Sequence, residues 1–449
     1  MDSNGTGVTA RHVKKRTLEK LFSLNVGVGT SPVNEFENCG ELLAGSFPVL
    51  FPYGVGAPGM LSRRGPGVPN INLADHAKYL MEHVDQRFAG HRLFPFGLVN
   101  MLQRHAACYA AKAVANHKDL PLLQQSLSSM SGDDLASAIR RLEGGEGMDG
   151  ILESIPEPIR RVLSKINIVG HTVPGSPHAR RKLLPELYSM IHTLGPPTLF
   201  VTINPYDCAS PVLMHWATGK GDLDAHEPLR GILIPRLQTV AQNPALAARY
   251  FHEMCTAFQD ILLGAANEGF GIFGRTTGYY GVTEAQGRGT LHCHYVVWLE
   301  GAGTGDGIKR AVEEDVDGLF RKKLVDFFDG IMSTSFVSQV VEGDTDPTHC
   351  NPPECPIPRD ATECTTFKTA LRKDAEWVAS RSNMHKIGHT ASCYKSKRNV
   401  CRFGFPKQTV AETHFDDTLG GMVGHRADPW LNSFNIIMAS TLRCNHDVK

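Results

Sequence analysis

The chain has 449 residues, 41% hydrophobic and 20% charged, an ordinary globular composition with apolar material for roughly two or three cores. Basic and acidic side chains balance at 46 each, so no overall positive field advertises nucleic acid, although a local basic face needs charge only along a groove. No charge-free apolar run reaches the roughly 20 residues of a bilayer span, and the N-terminus to Phe22 lacks the apolar core of a secretory signal. Its basic patch (Arg11, Lys14, Lys15, Arg16) reads either as a nuclear address or as solvated surface. The odd count of 11 cysteines, with no disulfide-like spacing in the first 340 residues, points to a reducing intracellular compartment.

In chain order, residues 1–45 are polar and Gly-containing and are expected to be loosely ordered. Residues 46–165 read as a mainly helical region. It opens on SFPVLFPYGVGAPGM, whose Pro and Gly predict turns. Apolar residues then recur at helical spacing from Ala74 to Phe88 and from Leu98 to His117, and DDLASAIRRLEG predicts a short helix with a capping Asp after Gly132. The third region, 166–335, changes character. Leu199 to Ile203 is a β-prone run closed by Asn-Pro, and Pro244 to about Leu263 has helical periodicity. Gly278–Gln286 and Leu291–Glu300 follow as strands joined by a glycine-rich reversal, and Lys309 to Ile331 again looks helical. The order strand, helix, hairpin, helix predicts an α+β fold with an antiparallel sheet and flanking helices. The final region, 336–449, is rich in Cys, Pro and His.

His292 and His294 lie one residue apart in a strand-like run, so both imidazoles share a face while Cys293 points away. Glu284 and Gln286 share one face of the preceding strand. A three-residue loop, Arg288 to Thr290, sets Gln286 and Glu284 opposite His292 and His294, whereas a two-residue loop turns them away. In the first register His292, His294, Glu284 and Gln286 are candidate ligands for a divalent cation with open positions. With 20 histidines, about one His-x-His pair is expected by chance, and sheet histidines that are simply hydrogen-bonded are common.

The string TEAQGRGTLHCHYVVWLE resembles the Helitron form of the His-hydrophobe-His motif. PTLFVTINPYD is similar to that family's first motif, GHTVPGSPHARRKLLPELYSMI to the lead-in before it, and FPVLFPYG and CRFGFP to other recurring blocks. The resemblance runs from about Phe47 to Lys449. It implies an HUH-type rolling-circle nuclease core, in which Mg2+ or Mn2+ on His292, His294 and Glu284 polarises a scissile phosphate of single-stranded DNA at a transposon end. A tyrosine would then attack in line, in a nuclear transposition reaction. Arg288 and Arg275 are candidate phosphate contacts, and Thr202 and Asn204 candidate DNA-orienting residues beside the site; solvated arginines and a plain strand end are the other readings. Family tyrosines follow a block resembling LRCNHDVK, here Leu442 to Lys449, so the nucleophile is expected beyond it. Tyr394, in Tyr-x-x-Lys, is the one candidate within the chain, in the wrong order for the family. No phosphate-binding Gly-x-x-x-x-Gly-Lys-Ser/Thr motif occurs, so the helicase part is not expected here.

In the last region His389, Cys393 and Cys401 are candidate ligands of a structural Zn2+, with Cys364, another earlier cysteine or His385 as fourth; reduced, partly buried thiols are the plainer reading. Lys397 and Arg402, interleaved with Tyr394 and Phe403, suit single-strand contact by charge and stacking, as does any basic surface loop. Two other functions stay open: a single-stranded DNA-binding remnant without catalysis, and an unrelated structural metal protein. Oligomeric state and DNA specificity leave no mark in the sequence.

Overall fold

The computed structural model describes residues 34–37, 39–58, 60, 71–115, 120–143, 148–205, 207–219, 233–285, 290–303, 305–337, 364–389, 391–394, 400–418 and 420–449. The chain divides into two compact units, Met1–Glu82 and His83–Lys449. In the first, a helix at Cys39–Ser46 buries Cys39, Leu43 and Ala44. The block after it forms turns, with Phe47 O accepting from both Leu50 N and Phe51 N, as its Pro and Gly predict. The helix Leu73–Met81 starts at Asn72, whose side chain accepts from Asp75 N at 2.8 Å. It stops at Met81 instead of continuing to Phe88. Beyond it the Asp85 carboxylate accepts from Arg87 N and contacts His83, and Gln86 takes a φ of 56°, a local turn that outcompetes the helix.

The second unit begins with helices. Phe94–Ala115 and Gly132–Glu143 occupy the expected segments, and the cap of the latter is Ser131, whose hydroxyl accepts from Asp133 N, with Asp133 and Asp134 in the first turn. Ala138, Ile151, Ile155, Ile159 and Leu163 form the core of this helical part.

A five-stranded antiparallel sheet follows, in the order β2-β3-β4-β1-β7, from β1 Leu199–Asn204, β2 Phe270–Gly271, β3 Gly274–Ala285, β4 Leu291–Leu299 and β7 Asn445–Val448. The fold is thus α+β. Alternation assigns the faces. Leu199, Val201, Ile203, Cys293, Tyr295, Val297 and Val448 point to one side, where they pack with Phe251, Cys255, Phe258 and Leu262 of the Pro244–Leu262 helical segment. The last turn of that segment widens to a π-turn, Phe258–Leu262, closed by Leu263 N to Phe258 O at 2.8 Å.

One expectation changes. The stretch expected to be helical from Lys309 to Ile331 is two helices, Gly305–Glu313 and Leu319–Ile331. Between them the Asp315 carboxylate accepts from Phe320 N and Arg321 N, and Gly318 takes a φ of 72°, so the acidic-glycine run ends one helix and caps the next. The last region supplies a helix, Cys364–Ser382, packed on a second, Ile436–Leu442, through Ala375, Val378, Ala379, Leu431, Phe434 and Ala439. It then contributes β7 to the sheet. A two-stranded ribbon, β5 His414–Asp416 with β6 Gly421–Val423, lies between. Among the described residues no helix is long and apolar enough to cross a membrane.

Candidate metal centre on the exposed sheet face

The face of the sheet opposite the core carries the site. Cα register aligns Glu284 with His292, and Val282 with His294, Thr202 and Asp447 in a row across four strands. The parity is the one that turns Glu284 toward the histidines. The register is displaced by two from the three-residue-loop expectation, because the last described pair is Ala285 with Leu291. Gln286 and Arg288 lie outside the described residues. One end of this face is covered by the helix Leu184–Leu194, where Tyr280 Oη donates to Leu183 O and an added Cβ on Gly278 would meet Leu194 at 2.8 Å. The histidine end is exposed through Glu284, Val282 and Phe200.

Both imidazoles aim the same atom at the same oxygen. His292 Nε2 is 3.0 Å and His294 Nε2 3.6 Å from Glu284 Oε2. The rings stand edge to face, 4.7 Å apart at 90°. Bonds of ~2.1 Å at angles of 90–110° separate neighbouring ligand atoms by roughly 3.0–3.5 Å, so this donor set fits one divalent cation. His294 is held from behind, its Nδ1 2.9 Å from Thr202 Oγ1 and its ring stacked on Phe200 at 5.5 Å and 22°. In the tautomer where Nδ1–H donates to Thr202, the Nε2 lone pair is left for a ligand. Burial, and then the charge of His292, hold the His294 imidazole below its ordinary value, with Glu284 pulling the other way. His292 is nearly buried, and its Nδ1 has no hydrogen-bond partner among the described residues.

Sequence reasoning missed the neighbour on β7. Asp447 pairs with Thr202, and its carboxylate accepts from Ser433 Oγ at 2.5 Å and meets Lys449 Nζ at 2.7 Å. The signal was the alternation Asn445, Asp447, Lys449 in a strand-length run, three polar residues on one face. Lys449 is exposed and adds to the positive charge felt by His294.

Of the remaining candidates, one shares the site's face and the others fall elsewhere. Asn204 ends β1 opposite Asn445, on the site's face. Arg275 is at the other end of β3 from Glu284, paired with Glu300 at 3.1 Å and stacked over Phe270. At about 3.3 Å per residue the strand carries it far from the histidines. Tyr394 ends a short 3-10 turn, Ala391–Tyr394, with its ring against His389. Arg402 lies over the Phe403 ring at 4.4 Å, and Lys397 is outside the described residues. His389, Cys393 and Cys401 come together, and their fourth neighbour is His385. Cys364 starts the 19-residue helix at whose far end His385 lies, and a helix of that length spans roughly 28 Å.

An α+β unit with an antiparallel sheet and a His-x-His strand facing a carboxylate is the class these features define. Residues 76–297 match the family model described as "Helitron helicase-like domain at N-terminus". The chain therefore carries a Helitron helicase-like N-terminal region over these residues; Glu284, His292 and His294 all fall within the match. A comparison with curated proteins finds no match.

Proposed function

We propose that the sheet face is the metal centre of an HUH-type nuclease that nicks single-stranded DNA at transposon ends and acts in the nucleus. The observation that carries this reading is the convergence of His292 Nε2, His294 Nε2 and Glu284 Oε2 within 4.8 Å on an exposed face. A bound Mg2+ or Mn2+ would supply Lewis-acid polarisation of a phosphodiester oxygen. His292 and His294 hold the neutral nitrogen ligands, and Glu284 supplies the anionic one. Thr202 fixes the His294 ring. Lys449, exposed on the next strand, offers a cation to the DNA backbone beside the site. The nucleophile expected from the family resemblance is a tyrosine following the Leu442–Lys449 block; its hydroxyl would attack phosphorus, the bond to the 3′ oxygen would break, and a 5′-phosphotyrosine and a free 3′-hydroxyl would result.

The test is manganese binding by calorimetry on the whole chain and on the His292→Ala, His294→Ala double variant, followed by binding of a single-stranded oligonucleotide with and without Mn2+. Saturable manganese binding that vanishes in the folded double variant supports the centre. A folded wild-type chain that binds manganese no better than the double variant ends the nuclease reading.

A further inference from the structure

Apart from the sheet face, the C-terminal region gathers a second and chemically softer donor set. His385 follows the Cys364–Ser382 helix, His389 has a left-handed backbone with φ of 50°, Cys393 lies in the Ala391–Tyr394 turn, and Cys401 opens CRFGFP. His385 Nε2 is 3.1 Å from His389 Nδ1 and 3.6 Å from the Sγ atoms of both Cys393 and Cys401. All four donor atoms lie within 4.8 Å of one another.

Hydrogen bonds among these groups do not account for that arrangement. One imidazole nitrogen carries either one proton or one lone pair, so His385 Nε2 makes a full hydrogen bond to one of these three neighbours at a time. A cation at the centre serves all four. Tetrahedral zinc, with bonds of ~2.0–2.1 Å to nitrogen and ~2.3 Å to sulfur, demands nitrogen–sulfur edges of about 3.6 Å and a nitrogen–nitrogen edge of about 3.3 Å. The three edges at His385, 3.1, 3.6 and 3.6 Å, lie close to these.

The surroundings hold the donors in place. The His385 ring is stacked on Phe405 at 4.4 Å and 7° and lies parallel to Trp430 at 6.2 Å, while Cys393 and Cys401 are buried. Backbone bonds close the cysteine turns, Arg402 N to Cys393 O at 2.9 Å and Gly404 N to Cys401 O at 3.0 Å. We propose that His385, His389, Cys393 and Cys401 bind a structural Zn2+, a site separate from the sheet-face centre and independent of its reading. The two cysteines bind as thiolates, their protons passing to solvent, and thiolate ligands select zinc over Mg2+ or Mn2+.

Its place in the fold says what it fastens. His385 N donates to Trp430 O at 2.9 Å, and Asn383 Nδ2 donates to His446 O on β7 at 2.6 Å and to Ser433 O at 3.2 Å. The zinc cluster therefore clamps the end of the Cys364–Ser382 helix to the segment that braces β7, the strand beside Thr202.

The test uses the whole chain, produced in zinc-supplemented medium and dialysed, with elemental analysis of the wild type, of Cys401→Ser and of the His292→Ala, His294→Ala double variant. Expected is about one zinc per wild-type chain, lost in Cys401→Ser and kept in the double variant. Zinc that leaves with His292 and His294 but survives Cys401→Ser overturns the assignment, as does a folded wild-type chain that holds none. Should Cys401→Ser not fold, cobalt substitution of the wild type decides. Intense visible bands of tetrahedral cobalt with a near-ultraviolet thiolate charge-transfer band support the site, and a weak octahedral spectrum without that band rejects it.

Discussion

Thr202 on β1 reaches His294 on β4 across the ladder, Oγ1 to Nδ1 at 2.9 Å. The contact joins the first strand of the sheet to the hairpin 92 residues later and turns a histidine on an exposed face into an oriented ligand. Without it the ring keeps its stacking on Phe200 and its contacts with His292 and Glu284, but loses the bond to Nδ1 that opposes a flip exchanging the two nitrogens.

Replacing Thr202 by Val keeps the β-branched shape and removes the hydroxyl. Manganese affinity measured by calorimetry is expected to fall by about 10–100-fold, the usual cost of losing a partner that orients a metal-binding histidine. Thr202→Ser should retain most of the affinity. An unchanged affinity in Thr202→Val, with the fold intact by circular dichroism, would show that Thr202 does not position the ligand.

His446 sets a pH limit on stability. It is buried on β7, with Nδ1 3.0 Å from Cys444 O and Nε2 accepting from Asn435 N at 2.8 Å, an arrangement that needs the neutral ring. Burial is the main cause that pushes its value below the ordinary one. The unfolded chain takes up a proton near the ordinary value of ~6.5 while the folded chain refuses it until lower pH, so stability is full above ~6.5 and is lost as pH falls from there. Urea midpoints measured across that window should drop more steeply for the wild type than for His446→Gln. Equal slopes would remove His446 as the cause.

Much of this was legible in the sequence, for a physical reason: where alternation or helical periodicity is set by burial, the residues carry it. The β1 run Leu199–Ile203 and the His-x-His strand were readable from period alone. The fifth strand left only the polar alternation Asn445, Asp447, Lys449, a weak signal because Asn445–Val448 is four residues long and is a strand by pairing with β1. The hairpin register resisted for a similar reason. Parity hung on the length of the reversal, three residues turning Glu284 toward the histidines and two turning it away; the observed parity is the former, but a displacement of two residues preserves parity and leaves no trace in the pattern. Arg275 could not be judged from sequence, since its partner Glu300 is reached only through the hairpin. His385 was one of the fourth-donor candidates, and choosing it over an earlier cysteine depended on the length and direction of the helix Cys364–Ser382.

Arg443 and Asp374 tie the two C-terminal helical segments by a two-pronged contact, both carboxylate oxygens meeting Nη1 at 2.9–3.0 Å. Asp374 is 5% exposed. Arg443→Met leaves that carboxylate without its cation. The expected loss is about 2–3 kcal/mol in a urea titration, below the ~3–5 kcal/mol of a fully buried pair because the arginine side chain is 35% exposed. The double variant with Asp374→Asn should recover part of it, and a double variant no better than Arg443→Met would assign the loss to packing instead.

Gly264 and Gly330 make an internal comparison of what an added methyl does. Gly264 has a φ of 78°, and a Cβ there would lie 2.3 Å from the Phe270 carbonyl carbon and oxygen, backbone atoms that cannot swing away. The close approach is the turn that brings β2 under the π-turn, where Ile272 N donates to Leu262 O at 2.8 Å. Gly264→Ala therefore combines backbone strain of about 1–3 kcal/mol with a steric displacement and should lower the thermal midpoint clearly. Gly330 lies within the helix Leu319–Ile331 with nothing inside 4 Å of its Cβ position, so Gly330→Ala should raise stability by up to about 1 kcal/mol. The sign of the difference between the two variants in one melting series is the readout. A Gly264→Ala chain as stable as the wild type would mean that the turn at Phe270 yields, and that β2 does not depend on it.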